Sequence, residues 1–253
     1  MNKIAISFSG GKASFAAAHF AIQKYEADNC ELIFCDTLIE DDDLHRFINE
    51  ASQKLKCKLI KLKDGRNPWQ VFKDVRYQGN TRTAHCSYEL KSKVFEKYIE
   101  SRYSKLSSII FGFDWTEQHR HETAVNNWDK YKVESPLIDN LTSKTQIDEI
   151  LNNYDIKQPL LYDLNFSHNN CGGFCVKAGQ AHYKNLLEKL PNVYLYHENE
   201  QEILMKEIPT TRPFLRITIN KKLIYVTLKQ FRLYVQSGKP VDEFDFGGCG
   251  CFI

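Results

Sequence analysis

The sequence contains no apolar run that approaches the ~20 residues needed to cross a bilayer. Its first residues pass from a short apolar segment into glycines and lack the apolar core and cleavage site of a signal peptide. Neither sign of charge dominates, because 34 basic and 32 acidic side chains leave a formal net charge of +2. This balance argues against a protein that holds long nucleic acid mainly by charge. We expect a soluble, cytoplasmic protein that does not associate with membranes.

Internal repeats and low-complexity linkers are also absent from the sequence. Hydrophobic residues make up 42% and charged residues 26% of the 253 residues, which is the composition of a globular protein. A chain of this length buries roughly 70–75% of its unfolded surface, so that one large domain, with or without an appendage, is stable without cross-links.

The first half of the chain alternates short apolar segments of strand type with amphipathic helical segments. The predicted strands are residues 3–8, 31–35, 58–62 and 108–112. The predicted helices are residues 14–25, 41–55 and 87–101. This alternation predicts an α/β fold with a mostly parallel, doubly wound sheet that carries helices on both faces. Ligands of such sheets bind beyond the carboxyl ends of the strands.

The pattern changes after about residue 136. Helices are predicted at residues 142–154, 177–190 and 229–236, and a hairpin is predicted from strands 215–219 and 223–228. We therefore expect an α/β domain over residues 1–135. A small extension of helices and a hairpin, over residues 136–253, carries two cysteine pairs and is expected to pack against that domain.

Residues 7–14, Ser-Phe-Ser-Gly-Gly-Lys-Ala-Ser, join the first strand to the first helix. Gly10 and Gly11 allow a tight turn and a close approach of the backbone to a ligand. The start of the helix presents N–H groups to an anion, and Lys12 adds a positive charge. The hydroxyl donors of the segment are Ser7, Ser9 and Ser14. We predict a phosphate-binding loop that differs from a Walker A loop, which is longer and places Lys next to Ser or Thr.

These residues resemble the pyrophosphatase loop, Ser-Gly-Gly-Lys-x-Ser, of the adenine nucleotide alpha-hydrolase (PP-loop) superfamily. More closely, the chain resembles its phosphoadenylyl-sulfate (PAPS) reductase branch, including phage and plasmid members. Three further segments carry the resemblance in the expected order over about residues 1–130: Asp36-Thr37 followed by Glu40, Arg-Thr-Ala-His-Cys-Ser-Tyr-Glu-Leu-Lys at 82–91, and Gly-Phe-Asp-Trp-Thr-Glu-Gln-His-Arg at 112–120. Ala13 departs from the pattern, because many members that activate substrates with ATP carry Asp there.

The resemblance implies binding of an adenine nucleotide, either ATP with Mg²⁺ or PAPS. The residues that it assigns to the nucleotide are Ser7, Ser9, Gly10, Gly11, Lys12, Ser14, Asp36, Thr37, Arg82, Lys91, Glu117 and Arg120.

Simple chemistry supports some of these residues and leaves alternatives open. Converging cations at Arg82, Lys91 and Arg120 suit a phosphorylated or sulfated ligand, although each alone also fits a solvated surface charge. Asp36 suits a metal–phosphate or a ribose hydroxyl, or caps a helix. Glu117 and Arg120 are spaced to pair with each other.

The eight cysteines fall into two groups. Cys30, Cys35 and Cys57 lie in or beside apolar segments and are predicted to be buried as small hydrophobic residues. Two tight pairs, Cys171 with Cys175 and Cys249 with Cys251, predict a four-thiolate site for Zn²⁺ or an iron–sulfur cluster. The other interpretation is thiols without metal, or a reversible disulfide.

The resemblance adds two roles for cysteines. It implies that Cys86 is a cluster ligand or lies near one, because adenylyl-sulfate reductases carry cluster cysteines in the corresponding segment. It also implies a nucleophilic cysteine in the C-terminal tail, here Cys249 or Cys251. This role competes with metal binding for the same sulfur atoms.

Three functions remain open at this point. The first is a PAPS reductase-like enzyme in which a cysteine thiolate acts on an adenylyl sulfate and a thiol reductant restores the enzyme. The second is an ATP-pyrophosphatase that adenylates a tRNA or DNA target for thiolation. The third is a non-catalytic nucleotide-binding component of a phage or defence assembly, for which Ala13 is the indication. A homodimer is compatible with each of the three.

Overall fold

The structure, a computed structural model, describes residues 3–219 and 222–248. Five strands form one parallel sheet in the order β3-β2-β1-β4-β5. They are β1 (Ile4–Ser7), β2 (Cys30–Asp36), β3 (Lys58–Lys63), β4 (Ser108–Ile110) and β5 (Lys132–Glu134). This order confirms the predicted doubly wound α/β fold. Because the winding reverses between the neighbours β1 and β4, a crevice is expected beyond their carboxyl ends.

Helices follow most of the strands and fill the second half of the described chain. They are α1 (Lys12–Tyr25), α2 (Asp42–Leu55), α3 (Pro68–Val75), α4 (His85–Ser87), α5 (Lys93–Arg102), α6 (Gln118–Asn127), α7 (Pro136–Asp139), α8 (Lys144–Asn153), α9 (Leu160–Asp163), α10 (Gln180–Lys189), α11 (Pro191–Glu207) and α12 (Leu228–Gln236). A π-helical turn, Tyr88–Ser92, joins α4 to α5. Among the described residues, no helix combines the length and the apolar character that a membrane span requires.

Two hydrophobic clusters cover the two faces of the sheet. On one face, Phe15 of α1 and Phe47 of α2 pack with Ile147 of α8. On the other face, Phe95 of α5 packs with Ala124 of α6. Helix α8 thus belongs to the core of the sheet although it follows residue 135 in the chain. The proposed division of the chain at that residue remains a prediction.

A third cluster gathers the second half of the chain around aromatic side chains. Trp69, Phe174 and Tyr183 are buried at its centre. It includes the antiparallel hairpin of β6 (Leu215–Ile219) and β7 (Lys222–Val226), which confirms the predicted hairpin. Helix α11 was not predicted, because polar side chains at His197, Glu198 and Gln201 lie on its buried side. This cluster places the segment around residues 162–175 next to the carboxyl edge of the sheet.

Cys30, Cys35 and Cys57 are buried, as predicted. Burial raises the pKa of Cys30 to about 11 and that of Cys35 to about 12. Thiols with such pKa values stay protonated near neutral pH, and only the thiolate acts as a nucleophile or metal ligand. These three cysteines are therefore structural.

Candidate functional site

A cavity of about 560 Å³ opens at the predicted crevice between β1 and β4. Ser7 lines it from the end of β1, and Gly112 from the segment that follows β4. At Gly112 the segment passes so close to α1 that a Cβ atom there would lie 2.9 Å from the Ser14 backbone. This close approach brings together residues 7–14, here called the glycine loop, and the segment that follows β4. The two form two walls of one cavity.

The glycine loop presents the start of α1 to the cavity. Gly10 has φ +79°, and a Cβ atom at this position would lie 3.0 Å from Ile48 and 3.1 Å from Leu44. Both the conformation and the packing therefore require glycine. Gly11 is the N-cap of α1, and the first turn of the helix contains no acidic side chain. The positive end of the helix dipole thus faces the cavity, and no carboxylate in the first turn of α1 offsets it. Such a helix end suits an anion.

Two hydrogen bonds with residues of the second half of the chain, and one within residues 7–14, hold the loop in place. The Asn169 side-chain amide donates to the Gly10 carbonyl (Nδ2–O 3.0 Å), and Asn169 is buried. The Ser14 hydroxyl donates to the Gly11 carbonyl (2.8 Å), and the Lys12 N–H reaches the Tyr162 hydroxyl (3.4 Å). The second half of the chain therefore contributes directly to the geometry of the loop.

The Lys12 ammonium group is held by three side chains of the second half. Its Nζ lies 2.6 Å from Asp148 Oδ1 and 3.3 Å from Gln158 Oε1. It also lies 4.8 Å from the centre of the Tyr162 ring. Lys12, Asp148 and Tyr162 all line the cavity. A ligand phosphate that contacts Lys12 must therefore share this lysine with Asp148 or displace the carboxylate.

The facing wall carries the other predicted cations. Lys91 lies in the π-helical turn, where its side chain is buried and lines the cavity. Arg120 donates to Glu117, and its guanidinium carbon lies 4.6 Å from the centre of the Phe113 ring. The ion pair that their spacing suggested is thus formed, and both residues line the cavity.

Four predicted binding residues are not part of the described cavity lining: Gly10, Asp36, Thr37 and Arg82. The Asp36 carboxylate accepts from the Leu38 N–H (2.8 Å), whereas Asp41 caps α2. The Thr37 hydroxyl donates to Glu40 (2.8 Å) and lies 3.9 Å from Cys171 Sγ. Arg82 is exposed on a loop.

None of the described cysteines of the motifs, Cys86, Cys171 and Cys175, lines the cavity. Cys86 and Cys175 belong to the third hydrophobic cluster. The Cys171 N–H donates to Glu40. Cys171 directly follows Asn170, which lines the cavity. Within residues 3–219 and 222–248, no three His, Cys, Asp or Glu side chains are grouped so that they could hold a metal ion. The described residues alone therefore do not form the predicted metal site, and Cys249 and Cys251 lie outside them.

Residues just before those two cysteines dock beside Cys175. Gly247 forms a β-bridge with Ala178, and the Gly248 N–H donates to the Lys177 carbonyl (3.2 Å). The Asp245 carboxylate accepts from the Gln180 N–H (3.1 Å). The described tail thus runs along the segment that follows Cys175.

Several polar lining residues escaped the sequence analysis. They are Lys144, Asp148, Tyr162, Ser167, His168 and Asn170. None belongs to a recognisable motif, and the only signal was that the last three directly precede Cys171 in the chain.

Residues 3–171 match the sequence profile of the phosphoadenosine phosphosulfate reductase domain. The chain belongs to this family. The match includes the glycine loop, the Lys91 segment, the Arg120 segment and the helices α8 and α9 that close the cavity. For this PAPS reductase-family chain, adenine nucleotide binding is the property that the family implies. A search of curated proteins found no match.

Two examples represent the solved structures that resemble the PAPS reductase-family chain. Phosphoadenylyl-sulfate reductase from Candida auris, in a phosphate complex, is 13% identical, with a TM-score of 0.45 over 64% of this chain and 78% of its own. A predicted subunit of tRNA methyltransferase from Methanocaldococcus jannaschii is 14% identical, with a TM-score of 0.41 over 59% of this chain and 75% of its own. At these values the likenesses carry no conclusion about activity.

Proposed function

We propose that the chain binds an adenine nucleotide in the cavity and performs PAPS reductase-like sulfur chemistry. The observation that carries the proposal is the convergence of the open α1 N-terminus, Lys12, Lys91 and Arg120 on one cavity at the winding reversal of the sheet. Dipole, cations and hydroxyls together suit a phosphate-bearing ligand. The family match supports the nucleotide as the source of that phosphate.

In the proposed reaction, a cysteine thiolate attacks the sulfur atom of an adenylyl sulfate. The bond between that sulfur and the bridging phosphate oxygen breaks, and the oxygen leaves with the nucleotide. The cysteine then carries the sulfo group. A dithiol reductant supplies two electrons, releases sulfite and regenerates the thiol. Lys12 and Arg120 would offset the negative charge that grows on the departing phosphate.

The attacking thiol is proposed to be Cys249 or Cys251. Support comes from the docking of Gly247 and Gly248 beside residues 177 and 178, directly before these cysteines in the chain. Cys86 packs against the third hydrophobic cluster, so we favour it less as the attacking thiol. If the four predicted cysteines instead hold Zn²⁺ or an iron–sulfur cluster, the metal would link the tail to the segment after Cys171.

A second candidate is the ATP-pyrophosphatase reaction on a tRNA or DNA target. The observation that favours it is the presence of carboxylates beside the cations, because Asp148 and Glu117 both line the cavity. Carboxylates together with substrate phosphates are a usual set of ligands for Mg²⁺. Mg²⁺ would offset the charge of the leaving pyrophosphate.

One pair of incubations separates these functions. Purified, anaerobically prepared protein is supplied either with PAPS and a dithiol or with ATP and Mg²⁺. Sulfite from PAPS supports the reductase, whereas AMP and pyrophosphate from ATP support the second candidate. Tight binding of either nucleotide without turnover would instead indicate the non-catalytic component. Lys12→Ala and the surface variant Lys97→Ala serve as the matched pair, and only the former should lose activity.

A further inference from the structure

A segment of the second half carries an unusual charge distribution. Residues 208–241 contain seven basic side chains and no acidic one, although the whole chain has 34 basic and 32 acidic side chains. The seven are Arg212, Arg216, Lys221, Lys222, Lys229, Arg232 and Lys239. Apart from residues 220 and 221, the structure describes this segment as the β6–β7 hairpin followed by α12. Six of the seven basic residues lie in the described part of this segment.

Two of these cations have a structural role. Arg232 of α12 donates twice to Glu198 of α11, at 2.7 Å each, and Glu198 is largely buried. Lys229 of α12 pairs with Glu202 of α11 at 2.8 Å. These pairs fasten α12 to α11, and their charges are largely neutralised. Arg232 and Lys229 therefore add little positive charge to the protein surface.

The outer face of the hairpin has a different character. Leu215, Ile217 and Val226 point into the core, so the alternate positions face outward. On that outer face Arg216 lies directly opposite Tyr225, and Thr218 lies opposite Leu223. Tyr225 is 50% exposed and Leu223 is 56% exposed.

Arg216 is the described cation of this outer face, whereas Lys222 lies opposite Ile219 on the face of Val226, and Arg212 precedes β6. In the part of the chain that the structure describes, Arg212, Arg216 and Lys222 form no ion pair. The hairpin thus presents uncompensated positive charge next to an exposed aromatic ring and an apolar side chain.

We infer that the outer face of this hairpin binds an unpaired strand of nucleic acid. The guanidinium of Arg216 and the nearby cations suit the phosphates, and the Tyr225 ring offers a surface on which a base can stack. An acidic peptide would match the charge but would leave the exposed ring and Leu223 unused. The near-neutral net charge of the chain does not oppose this inference, because a short strand contacts only the local surface.

The inference goes beyond the nucleotide cavity. No hairpin residue belongs to the described lining of that cavity, so the two sites are tested separately. Lys12→Ala, which should weaken nucleotide binding, is expected to leave strand binding unchanged. If Lys12→Ala abolished strand binding, the strand would be entering the cavity and the hairpin assignment would be overturned.

The test measures fluorescence anisotropy of labelled oligouridylate and oligodeoxythymidylate of about 20 nucleotides, and of a duplex of equal length, with the full chain. We expect both single strands to bind better than the duplex, and the two probes report which sugar is preferred. Arg216→Glu should weaken binding about 10-fold or more and reduce the salt dependence of the affinity. Tyr225→Ala should weaken it roughly 5- to 100-fold, while Tyr225→Phe should retain it.

Lys97→Glu on α5 is the control, because it makes the same reversal of charge at an exposed position outside the hairpin. Circular dichroism and thermal melting confirm that each variant is folded. Equal loss of affinity in Arg216→Glu and Lys97→Glu would overturn the inference, since charge alone would then explain binding. Unchanged anisotropy with the wild-type chain at low salt, or preference for the duplex, would overturn it as well.

Discussion

The ammonium group of Lys12 and the carboxylate of Asp148 meet across the cavity, with Nζ 2.6 Å from Oδ1. Lys12 belongs to the glycine loop, and Asp148 lies on α8, so the pair joins the two halves of the chain. Since both side chains are partly exposed, at 22% and 49%, the pair contributes at most about 1 kcal/mol to stability. Its larger effect should be on the ligand, because the same lysine is proposed to bind a phosphate.

Asp148→Asn should therefore tighten the binding of a metal-free adenine nucleotide. The amide keeps the shape of the side chain but removes the negative charge that competes with the phosphate for Lys12. We expect the Kd to fall about 3- to 10-fold, equivalent to about 1 kcal/mol. Calorimetry in the presence of a chelator measures this change. Glu149→Gln, an exposed neighbour on α8, is the control. Weaker binding by Asp148→Asn under these metal-free conditions would mean that the carboxylate itself contacts the nucleotide.

Lys12→Ala should raise the Kd for the nucleotide at least about 10-fold, because it removes a charge-assisted contact to phosphate. The free energy of unfolding should change by less than about 1 kcal/mol, since only a partly exposed ion pair is lost. Calorimetry and urea denaturation measure the two quantities. Equal nucleotide affinity in Lys12→Ala and Lys97→Ala would reject the assignment of the loop.

Asn169→Ala should destabilise the fold and also weaken the nucleotide site. The variant removes the amide that donates to the Gly10 carbonyl and leaves a buried acceptor without its donor. Such a loss costs about 1–3 kcal/mol. Urea denaturation reports the loss of stability, and the nucleotide Kd reports the looser loop. The exposed Asn152→Ala on α8 should change neither. An unchanged free energy of unfolding in Asn169→Ala would contradict the role of this contact.

The buried ring of His197 predicts an acid-dependent loss of stability. The Trp69 indole N–H donates to His197 Nδ1 (2.9 Å), so the folded ring is neutral at that atom. Burial lowers the pKa of His197 to about 3. The unfolded chain takes up this proton near pH 6.5, whereas the folded chain does not until about pH 3. Stability is therefore complete above about pH 6.5 and decreases as the pH falls below it, by about 2 kcal/mol at pH 5.

Urea denaturation between about pH 7 and pH 5 tests this linkage. His197→Gln keeps an acceptor for Trp69 but cannot take up the proton, so its stability should depend less on pH. The exposed His119→Gln should follow the wild-type curve. The prediction fails if the wild-type and His197→Gln curves have the same slope.

The two cysteine pairs predict that the protein binds a metal and that both pairs are needed for it. Anaerobically purified protein should contain stoichiometric Zn²⁺, or absorb near ~400 nm if it holds an iron–sulfur cluster. Cys171→Ser, Cys175→Ser, Cys249→Ser and Cys251→Ser should each lower that content, whereas Cys30→Ala should not, because Cys30 is buried in the first cluster. Unaltered stoichiometry in all four variants would reject the four-cysteine site.

The sequence predicted the parts of the cavity that depend on the ends of strands. Parallel strands bring their carboxyl ends to one edge, so the glycine loop after β1 and the Arg120 segment after β4 had to lie near each other. Asp148 and Tyr162 were not predicted, because their positions depend on how α8 and α9 pack against the sheet. Local patterns do not encode contacts between residues 150 positions apart, such as that between Lys12 and Tyr162.

Among the elements that escaped prediction, strand β5 and helix α11 did so for equally physical reasons. Strand β5, Lys132–Glu134, is too short to show an alternating pattern. Helix α11 buries polar residues whose hydrogen-bond partners lie elsewhere in the chain, as when Gln201 donates to Gln78 (3.1 Å). The helix therefore lacks the continuous apolar stripe by which an amphipathic helix is recognised.

The contact between Asn169 and Gly10 means that the cavity is built from both halves of the chain. If the backbone were cut near residue 135, one fragment would hold the glycine loop and the other would hold Asn169, Tyr162 and Asp148. Neither fragment would contain a complete pocket. Ligand binding would then require the two fragments to associate, and a nucleotide that binds the complete cavity would stabilise their complex.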